Sequence, residues 1–288
     1  MRFSRPCRVP DMVQSTETIE APVDYLGLTE VAGEEVSQEQ VDRMVRRYVW
    51  AGACCTGKDV VEVACGSGQG LGHLAKLART LRAGDVSPEL VSAARRTYGD
   101  AIPVEVLDAH HLPFPDRSAD VILLFEAIYY LRSPDEFLAG CARVLRPGGK
   151  VLVATANKDL YDFNPSAHSH AYFGAADLPG LFARHGFTVR LFGDTPVDRV
   201  SMRQRVLRPV KKIAVTLNLI PRTMGGKRLL KRLVFGRMVA MPARLEIPPD
   251  ERFAGPEIPA GQPDRRHKVV FCEATLGPST GGAEDHPA

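Results

Sequence analysis

The sequence predicts an α/β protein with a doubly wound, mostly parallel sheet. From Asp59 to Gly72, a β-branched strand pattern is followed by small residues at every second position and then by an apolar helix pattern. From residue 80 to residue 155, strand and helix patterns alternate, which is typical of parallel sheets. The run at residues 119–125 is apolar throughout, which indicates a strand that is buried on both faces.

The individual elements follow from these periodicities. Ser37 and Ser87 are candidate N-caps, and Pro88 suits a first helical position. Helix patterns cover residues 38–50, 71–78, 88–98, 134–145 and 175–185, and strand patterns cover residues 59–63, 80–85, 104–108, 119–125, 150–155, 187–192 and 268–276.

The strand patterns also suggest how the chain is divided. Residues 21–193 and 268–276 are expected to form the core, between a disordered leader at 1–20 and a disordered tail at 277–288. Residues 194–267 are far more than a hairpin between two strands needs. They are predicted to form an inserted basic lid or substrate segment.

Charge is unevenly distributed in a chain of 288 residues and net charge +3. Residues 9–42 contain nine acids and no Lys or Arg, whereas residues 200–245 contain twelve Lys and Arg and no acid. The basic segment has three interpretations: the solvated face of an amphipathic lid, a site for an anionic small molecule, or a surface for transient contact with anionic lipid headgroups.

Composition also disfavours several classes of protein. The six cysteines show no zinc-ligand spacing, so no metal site is expected. No apolar window reaches the length of a transmembrane helix, and a cytoplasmic protein is expected. A nucleic-acid partner is disfavoured, because the net charge is low and no RNA-binding module is recognisable.

The turn after the first core strand reads Glu62-x-Ala64-x-Gly66-x-Gly68. Glycines let the backbone approach a ligand, and the following helix presents free N–H groups. An acid at the strand end suits a cationic cofactor and would repel a pyrophosphate. An NAD(P) or FAD site remains the alternative, although the G-x-G-x-x-A match at Gly70 lies too late in the chain.

The order of motifs resembles that of class I S-adenosylmethionine (SAM) methyltransferases over residues 38–193 and 268–276. The turn departs from that pattern only in having Ala64 for the first glycine. The further matches are Asp85, the Asp108-Ala109 pair before Leu112-Pro-Phe114, the segment 114–120 and the segment 143–150. The resemblance implies a seven-stranded sheet of order 3-2-1-4-5-7-6, in which only the last strand is antiparallel.

The resemblance also implies SAM as the cofactor. Glu62 would orient the turn or meet the SAM ammonium, and Asp85 would accept hydrogen bonds from both ribose hydroxyls. Val86 would pack on the adenine, Asp108 would accept from its amino group, and Phe125 would border the methionine. The full set of expected cofactor residues is Glu62, Ala64, Gly66, Gly68, Asp85, Val86, Asp108, Ala109 and Phe125.

Candidate catalytic residues follow the fourth and fifth core strands. Methyl transfer to a hydroxyl is assisted by a general base, and Glu126 is the first candidate because it lies directly after strand four. Its alternative role is to cap a short helix. His168 and His170 are further candidates that follow strand five, with simple solvent exposure as the alternative. Tyr48 and Trp50 could cover the cofactor, but core packing is favoured for both.

The function expected from these residues is transfer of a methyl group from SAM to a small molecule. A hydroxyl or amine of a sugar or secondary metabolite is the favoured acceptor. The alternatives are a non-catalytic SAM-binding protein with a basic interaction surface, an NAD(P)-linked oxidoreductase, and a methyltransferase of a lipid-linked acceptor at the membrane surface.

Overall fold

The computed structural model describes residues 29–166, 168–197 and 238–278. The predicted leader at residues 1–20 and most of the predicted tail and of the basic insertion lie outside the described residues. Among the described helices, none combines the length and the apolar character needed to cross a bilayer.

The main sheet is a mixed sheet of eight strands in the order β4-β3-β2-β5-β6-β10-β7-β9. Its first four neighbouring pairs are parallel, and β10 is antiparallel to both β6 and β7. The strands of the chain are β1 (Glu35–Ser37), β2 (Asp59–Val63), β3 (Thr80–Asp85), β4 (Val104–Val106), β5 (Ala119–Phe125), β6 (Leu145–Ala156), β7 (Phe187–Pro196), β8 (Met238–Ala240), β9 (Glu257–Ile258) and β10 (His267–Leu276).

The predicted strand order is confirmed, because the first seven strands of this sheet follow the order 3-2-1-4-5-7-6. The sheet has one strand more than predicted. The additional strand is β9, which pairs with β7 through Leu191 and Phe192 at the edge. A strand of two residues is too short to produce a periodic pattern, so periodicity could not reveal it.

The helices are α1 (Gln38–Cys55), α2 (Leu71–Leu77), α3 (Pro88–Tyr98), α4 (Pro134–Val144) and α5 (Leu178–Ala183). Both predicted N-caps are confirmed. Ser37 forms a capping box with Gln40, and the Ser87 hydroxyl accepts a hydrogen bond from the N–H of Leu90.

Helix α1 is longer than predicted, since it continues through Gly52 to Cys55 rather than ending near Trp50. Gly52 is a packing residue inside the helix. A Cβ at Gly52 would lie 2.9 Å from the Leu77 side chain, so the missing side chain lets α1 approach α2 closely.

Two apolar clusters cover the two faces of the sheet. The strand β5 contributes to both, with Ile122 and Leu124 in one cluster and Val121 and Leu123 in the other. The prediction that this strand is buried on both faces is confirmed. Its carboxyl end is thereby fixed rigidly in the centre of the sheet, where it can position the side chains that follow.

A second sheet of two strands joins distant parts of the chain, because β1 pairs antiparallel with β8. The pairing is extended by hydrogen bonds from the N–H of Gly33 to Met241 O (2.8 Å) and from the N–H of Met241 to Glu34 O (2.9 Å). We call residues 29–37 and 238–245 together the cap. The cap is tied to the glycine turn, because the N–H of Leu245 donates to Gln69 O at 2.8 Å.

Candidate functional site

A cavity of about 320 Å³ opens at the carboxyl ends of the parallel strands. Because β2, β3, β4 and β5 run parallel, the residues that follow them meet at one edge of the sheet. Every predicted cofactor residue except Gly68 lines this cavity, namely Glu62, Ala64, Gly66, Asp85, Val86, Asp108, Ala109 and Phe125.

Glu62 is a buried carboxyl group at the base of the cavity. The Tyr48 hydroxyl donates a 2.5 Å hydrogen bond to its Oε1, while its buried Oε2 has no hydrogen-bond partner. Burial raises the pKa of Glu62 to about 7, and the hydrogen bond from Tyr48 and the charge of Arg47 oppose this rise. Glu62 therefore offers an unused acceptor atom to a cationic group in the cavity.

The residues of the turn have different roles. Ala64 (φ +55°) and Gly66 (φ +59°) both have left-handed backbones and both line the cavity. Ala64, which stands where the family pattern has its first glycine, thus adopts a backbone conformation that favours glycine. Gly68 faces away from the cavity, because a Cβ there would lie 3.0 Å from Ala94, and its carbonyl accepts a hydrogen bond from Tyr98. Gly68 thus packs against α3, and its contact with the cofactor stays a prediction.

Asp85 is a buried carboxylate at the end of β3. Its Oδ2 accepts the N–H of Gly66 at 2.9 Å, and its Oδ1 accepts the N–H of Ser87 at 3.0 Å. Burial raises the pKa of the carboxyl, and hydrogen bonds from backbone N–H groups partly offset that rise. Each oxygen keeps a second lone pair, so the group is oriented to accept from two neighbouring hydroxyls.

The residues that follow β3 and β4 form the side of the cavity on which the resemblance places the adenine. Val86 is exposed although it is apolar, and it lines the cavity beside the buried Ala109. Asp108 accepts hydrogen bonds from the backbone N–H (2.9 Å) and the ring Nδ1 (2.7 Å) of His110. Burial raises the pKa of Asp108, but the hydrogen bonds from His110 outweigh it, and the pKa is lowered.

The aromatic residues of α1 divide into two roles. Trp50 does not line the cavity and stacks on Phe271 at 4.8 Å between ring centroids, in agreement with the packing role favoured from the sequence. Tyr48 lines the cavity, packs edge-on against Phe125 at 5.5 Å and holds Glu62. Tyr48 therefore packs in the core and also orients a carboxyl group of the cavity.

Glu126 follows β5 and lines the same cavity. Its backbone is left-handed (φ +52°), and its N–H donates to Ala154 O at 2.8 Å. The short 3-10 turn at Ile128–Tyr130 has Ala127 as its N-cap and no side-chain cap. Glu126 instead accepts a hydrogen bond from the Tyr129 hydroxyl at 2.9 Å. The side chain thus takes the position expected of a cavity carboxylate rather than of a helix cap.

The two loop histidines are not part of this site. His168 and His170 are exposed, and neither lines the cavity. The N–H of His170 donates to Tyr129 O at 2.8 Å, so this residue supports the loop through its backbone. That either histidine acts as a base stays a prediction that the geometry does not support, because strand-end position alone does not determine the direction of a side chain in a long irregular loop.

Several lining residues escaped prediction. The cap contributes Thr29 and Glu30, the first turns of α1 contribute Gln40, Arg43, Met44 and Arg47, and β10 contributes Lys268, Val269 and Phe271. The spacing of Arg43 and Arg47 at i and i+4 was the available signal, since both lie on one face of a predicted helix. The sequence offered no indication that this face meets the sheet edge.

The fold is Rossmann-like, and the residues at the carboxyl ends of its parallel strands suit a cationic nucleoside cofactor. Residues 61–153 match a protein family described as methyltransferase domain. This part of the chain is similar to SAM-dependent methyltransferases, a family that uses SAM as its methyl donor.

Two proteins with similar sequences are also methyltransferases by name. A Mycolicibacterium smegmatis protein assigned as an S-adenosylmethionine-dependent methyltransferase is 35% identical over 141 residues, which are 47% of this chain and 54% of that protein. A fatty-acid O-methyltransferase of the same organism is 38% identical over 109 residues, which are 37% of this chain and 39% of that protein. These matches thus span about half or less of the relatives' length.

A similar fold occurs in a solved structure of a Galdieria sulphuraria protein assigned as a sarcosine dimethylglycine methyltransferase. The TM-score is 0.52 at 13% identity, over 88% of this chain and 96% of that one. At this identity the likeness concerns the fold alone.

The residues of the cavity fit SAM. The unpartnered Oε2 of Glu62 suits an ammonium, the two oriented oxygens of Asp85 suit a ribose diol, and the exposed face of Val86 suits an adenine ring. The pyrophosphate of a dinucleotide would face the Glu62 carboxyl, which repels it, instead of a hydrogen-bond donor. The chemistry of the cavity therefore favours SAM over a dinucleotide.

Proposed function

We propose that this protein transfers the methyl group of SAM to a hydroxyl group of a small molecule, with Glu126 as the general base. The observation that carries the proposal is that Glu126 lies in the same cavity as the residues that fit the cofactor. SAM supplies an electrophilic methyl group on a sulfonium. The protein has to align the acceptor, exclude water and accept the acceptor's proton.

Glu126 is held firmly for this role. Its carboxylate is fixed by the Tyr129 hydroxyl, and its backbone keeps an uncommon left-handed conformation next to the central strand. Strained residues of this kind cluster at functional sites. We propose that Glu126 takes the proton from the acceptor hydroxyl, while Tyr129 sets the direction of the carboxylate.

Besides the expected cofactor residues, the cavity has many apolar and aromatic lining residues. These residues are Met44, Tyr129, Tyr130, Leu131, Ala156, Val269 and Phe271. Such a surface suits an acceptor with an apolar or aromatic body, which includes many secondary metabolites. The relative named as a fatty-acid O-methyltransferase supports an oxygen atom as the site of methylation.

The proposal is tested by incubating the protein with deuterated-methyl SAM and a panel of phenols, sugars and hydroxy fatty acids, followed by mass spectrometry. We expect one labelled methyl group on one class of hydroxyl. For Glu126→Gln we expect kcat to fall about 10²- to 10⁴-fold, with unchanged affinity for S-adenosylhomocysteine. His170→Gln is the matched control and should keep the wild-type rate.

Three outcomes would contradict the proposal. Binding of SAM without transfer to any acceptor, including a metabolite extract, would favour a non-catalytic SAM-binding protein. Full activity in Glu126→Gln would remove the general base from the mechanism. Binding of NAD without binding of SAM would favour the oxidoreductase alternative.

A further inference from the structure

The cavity extends beyond the strands that carry the expected cofactor residues. Those residues lie on or directly after β2, β3, β4 and β5, whereas Ala156, Asp194, Lys268 and Val269 line the cavity from the other half of the sheet. Val269 of β10 pairs with Ala156 of β6 and with Asp194 of β7, so the three strands meet at the same edge. We call these four residues the far half of the cavity, which carries none of the expected cofactor residues.

Helix α1 covers the far half with one of its faces. Glu39, Arg43 and Arg46 follow one another at helical spacing, so their side chains share a face of the helix. Glu39 pairs with Lys268 of β10 at 2.5 Å, and Arg46 pairs with Asp194 of β7 at 2.7 Å. Arg43 lies on the helix between these two ion pairs and lines the cavity, so it faces the far half.

Arg43 has no partner for its charge. Its Nε is buried and forms no hydrogen bond, and within the described residues its side chain forms no ion pair within 4 Å. The acid of the far half, Asp194, is already engaged, because it accepts from Arg46 at 2.7 Å and from the Thr195 hydroxyl at 2.8 Å. Desolvated guanidinium N–H groups are costly to leave unpaired, so an acceptor atom from a ligand would stabilise Arg43.

Buried side-chain polar atoms without a partner mark two different places in the cavity. Within the part of the chain that the structure describes, these atoms are Arg43 Nε, Glu62 Oε2 and Ser67 Oγ, and Ser67 does not line the cavity. Glu62 lies among the cofactor residues, where the charge of Arg47 acts on it. Arg43 faces the far half, where its free donor suits an anionic group of the second substrate.

We propose that Arg43 binds a carboxylate of the methyl acceptor, which makes the acceptor a hydroxy acid with an apolar or aromatic body. The inference rests on the proposed function in that the molecule bound in the far half is the acceptor. A planar guanidinium matches a carboxylate with parallel hydrogen bonds. A hydroxy acid held at Arg43 can direct its hydroxyl to Glu126, which lines the same cavity after β5.

The charges around Arg43 favour a carboxylate over a phosphate monoester. The two cations next to Arg43, Arg46 and Lys268, are already paired with Asp194 and Glu39. A phosphate dianion would therefore meet one free guanidinium and two neighbouring carboxylates. Like charges repel strongly in a partly desolvated site, so a single negative charge is the better match for one free positive charge.

The test is calorimetric titration of the protein saturated with S-adenosylhomocysteine, with two matched pairs of probes. The pairs are 10-hydroxydecanoate with 1,10-decanediol, and 4-hydroxyphenylpropionate with 4-hydroxyphenylpropanol, and in each pair only the acid has a carboxylate. We expect the wild-type protein to bind at least one acid about 10- to 100-fold more tightly than its alcohol. In Arg43→Gln this preference should fall to about twofold or less, whereas binding of the alcohol should not change.

Three controls separate this effect from a general loss of charge or structure. Arg96→Gln removes the same charge from an exposed position on α3 outside the cavity lining, and it should keep the wild-type preference. Arg43→Lys keeps the charge but not the planar fork, so it should keep only part of the preference. The affinity of Arg43→Gln for S-adenosylhomocysteine should stay within about twofold of the wild-type value, because Arg43 does not serve the cofactor.

Equal binding of acid and alcohol by the wild-type protein would overturn the inference, and so would a failure to bind either acid. A lower affinity of Arg43→Gln for S-adenosylhomocysteine would also overturn it, because Arg43 would then belong to the cofactor. Tighter binding of 10-hydroxydecyl phosphate than of 10-hydroxydecanoate would overturn the assignment of a carboxylate. Calorimetry measures binding without turnover, so a protein that shows the acid preference but transfers no methyl group would refute the proposed function and leave the carboxylate site in place.

Discussion

At the scale of single residues, Glu62 connects the chemistry of the cavity with the stability of the fold. Its carboxyl group is buried, one oxygen is held by Tyr48 and the other has no partner. Burial raises its pKa from 4.5 to about 7. A protein without its cofactor therefore carries a carboxyl that resists ionisation near neutral pH.

We expect this group to make the stability of the cofactor-free protein fall as the pH rises. The folded state holds the proton of Glu62 more tightly than the unfolded state, so its contribution is fully present below about pH 4.5 and is lost as the pH passes 7. The loss is about 3 kcal/mol, from 1.36 kcal/mol for each pKa unit. Urea unfolding between pH 5 and 7.5 measures it, with Glu62→Gln as the reference. Parallel pH profiles for the two proteins would refute the assignment.

The sequence predicted the residues whose position follows from strand ends. Glu62, Asp85 and Glu126 were identified because a residue that closes a parallel strand must lie at the ligand edge. Arg43 and Arg47 were missed, because their position in the cavity lining depends on how α1 packs on the sheet, which no local sequence pattern encodes. The same limit applies to His170, whose side chain is placed by an irregular loop.

At the scale of secondary-structure elements, the site depends on the close contact between α1 and the glycine turn. The ring of Tyr48 lies where a side chain at Gly70 would be, since a Cβ there would be 2.0 Å from the Tyr48 Cζ. Gly70 is also the N-cap of α2. The helix can reach Glu62 only because this turn position has no side chain.

We expect Gly70→Ala to displace the Tyr48 ring and break its hydrogen bond to Glu62. The substitution should destabilise the fold by about 1–3 kcal/mol, as overpacking does, and weaken S-adenosylhomocysteine binding. Urea unfolding and calorimetric titration measure the two effects. Gly180→Ala is the matched control, because Gly180 is an exposed helical residue at which an added Cβ would have no atom within 4 Å. The control should gain about 0.5–1 kcal/mol, and equal behaviour of the two variants would contradict the packing argument.

The elements with strong periodicity were all predicted, although β6 and β7 are longer and α5 is shorter than predicted. The short strands without periodicity were not predicted. Ser37 and Ser87 marked helix starts because capping is a local interaction between neighbouring residues. The short strands β8 and β9 are defined by distant partners, so their own residues carry little signal. The end of α1 was missed because Gly52 ordinarily weakens a helix, whereas here it permits packing on α2.

At the scale of the whole molecule, the cap joins the first and last thirds of the described chain over the cavity. Thr29 and Glu30 line the cavity, and a Cβ at Gly66 would lie 3.1 Å from Thr29. The N–H of Leu245 donates a hydrogen bond to the carbonyl oxygen of Gln69. Ligand binding at the turn should therefore affect the cap, because the two share contacts and hydrogen bonds.

We expect S-adenosylhomocysteine to slow hydrogen exchange at the cap amides of Gly33, Met241 and Leu245 by about tenfold or more, since bound ligand stabilises the state in which their hydrogen bonds are closed. Exchange mass spectrometry with and without the ligand measures the effect. The amide of Gly193, which donates to Pro256 O at 2.9 Å, is the internal control and should respond less. Equal protection at both places would indicate a global effect rather than a coupling of the cap to the turn.

The pairing of β1 with β8 has a consequence for the order of folding. Its partners are about 200 residues apart in sequence, whereas the four parallel pairs among β2 to β6 join strands that are separated by only a few tens of residues. Contacts between distant residues form late, because the loop between them must close first. During synthesis, we expect the sheet edge to which we assign the cofactor to acquire its strands before the ribosome has made residues 238–245, which complete the cap.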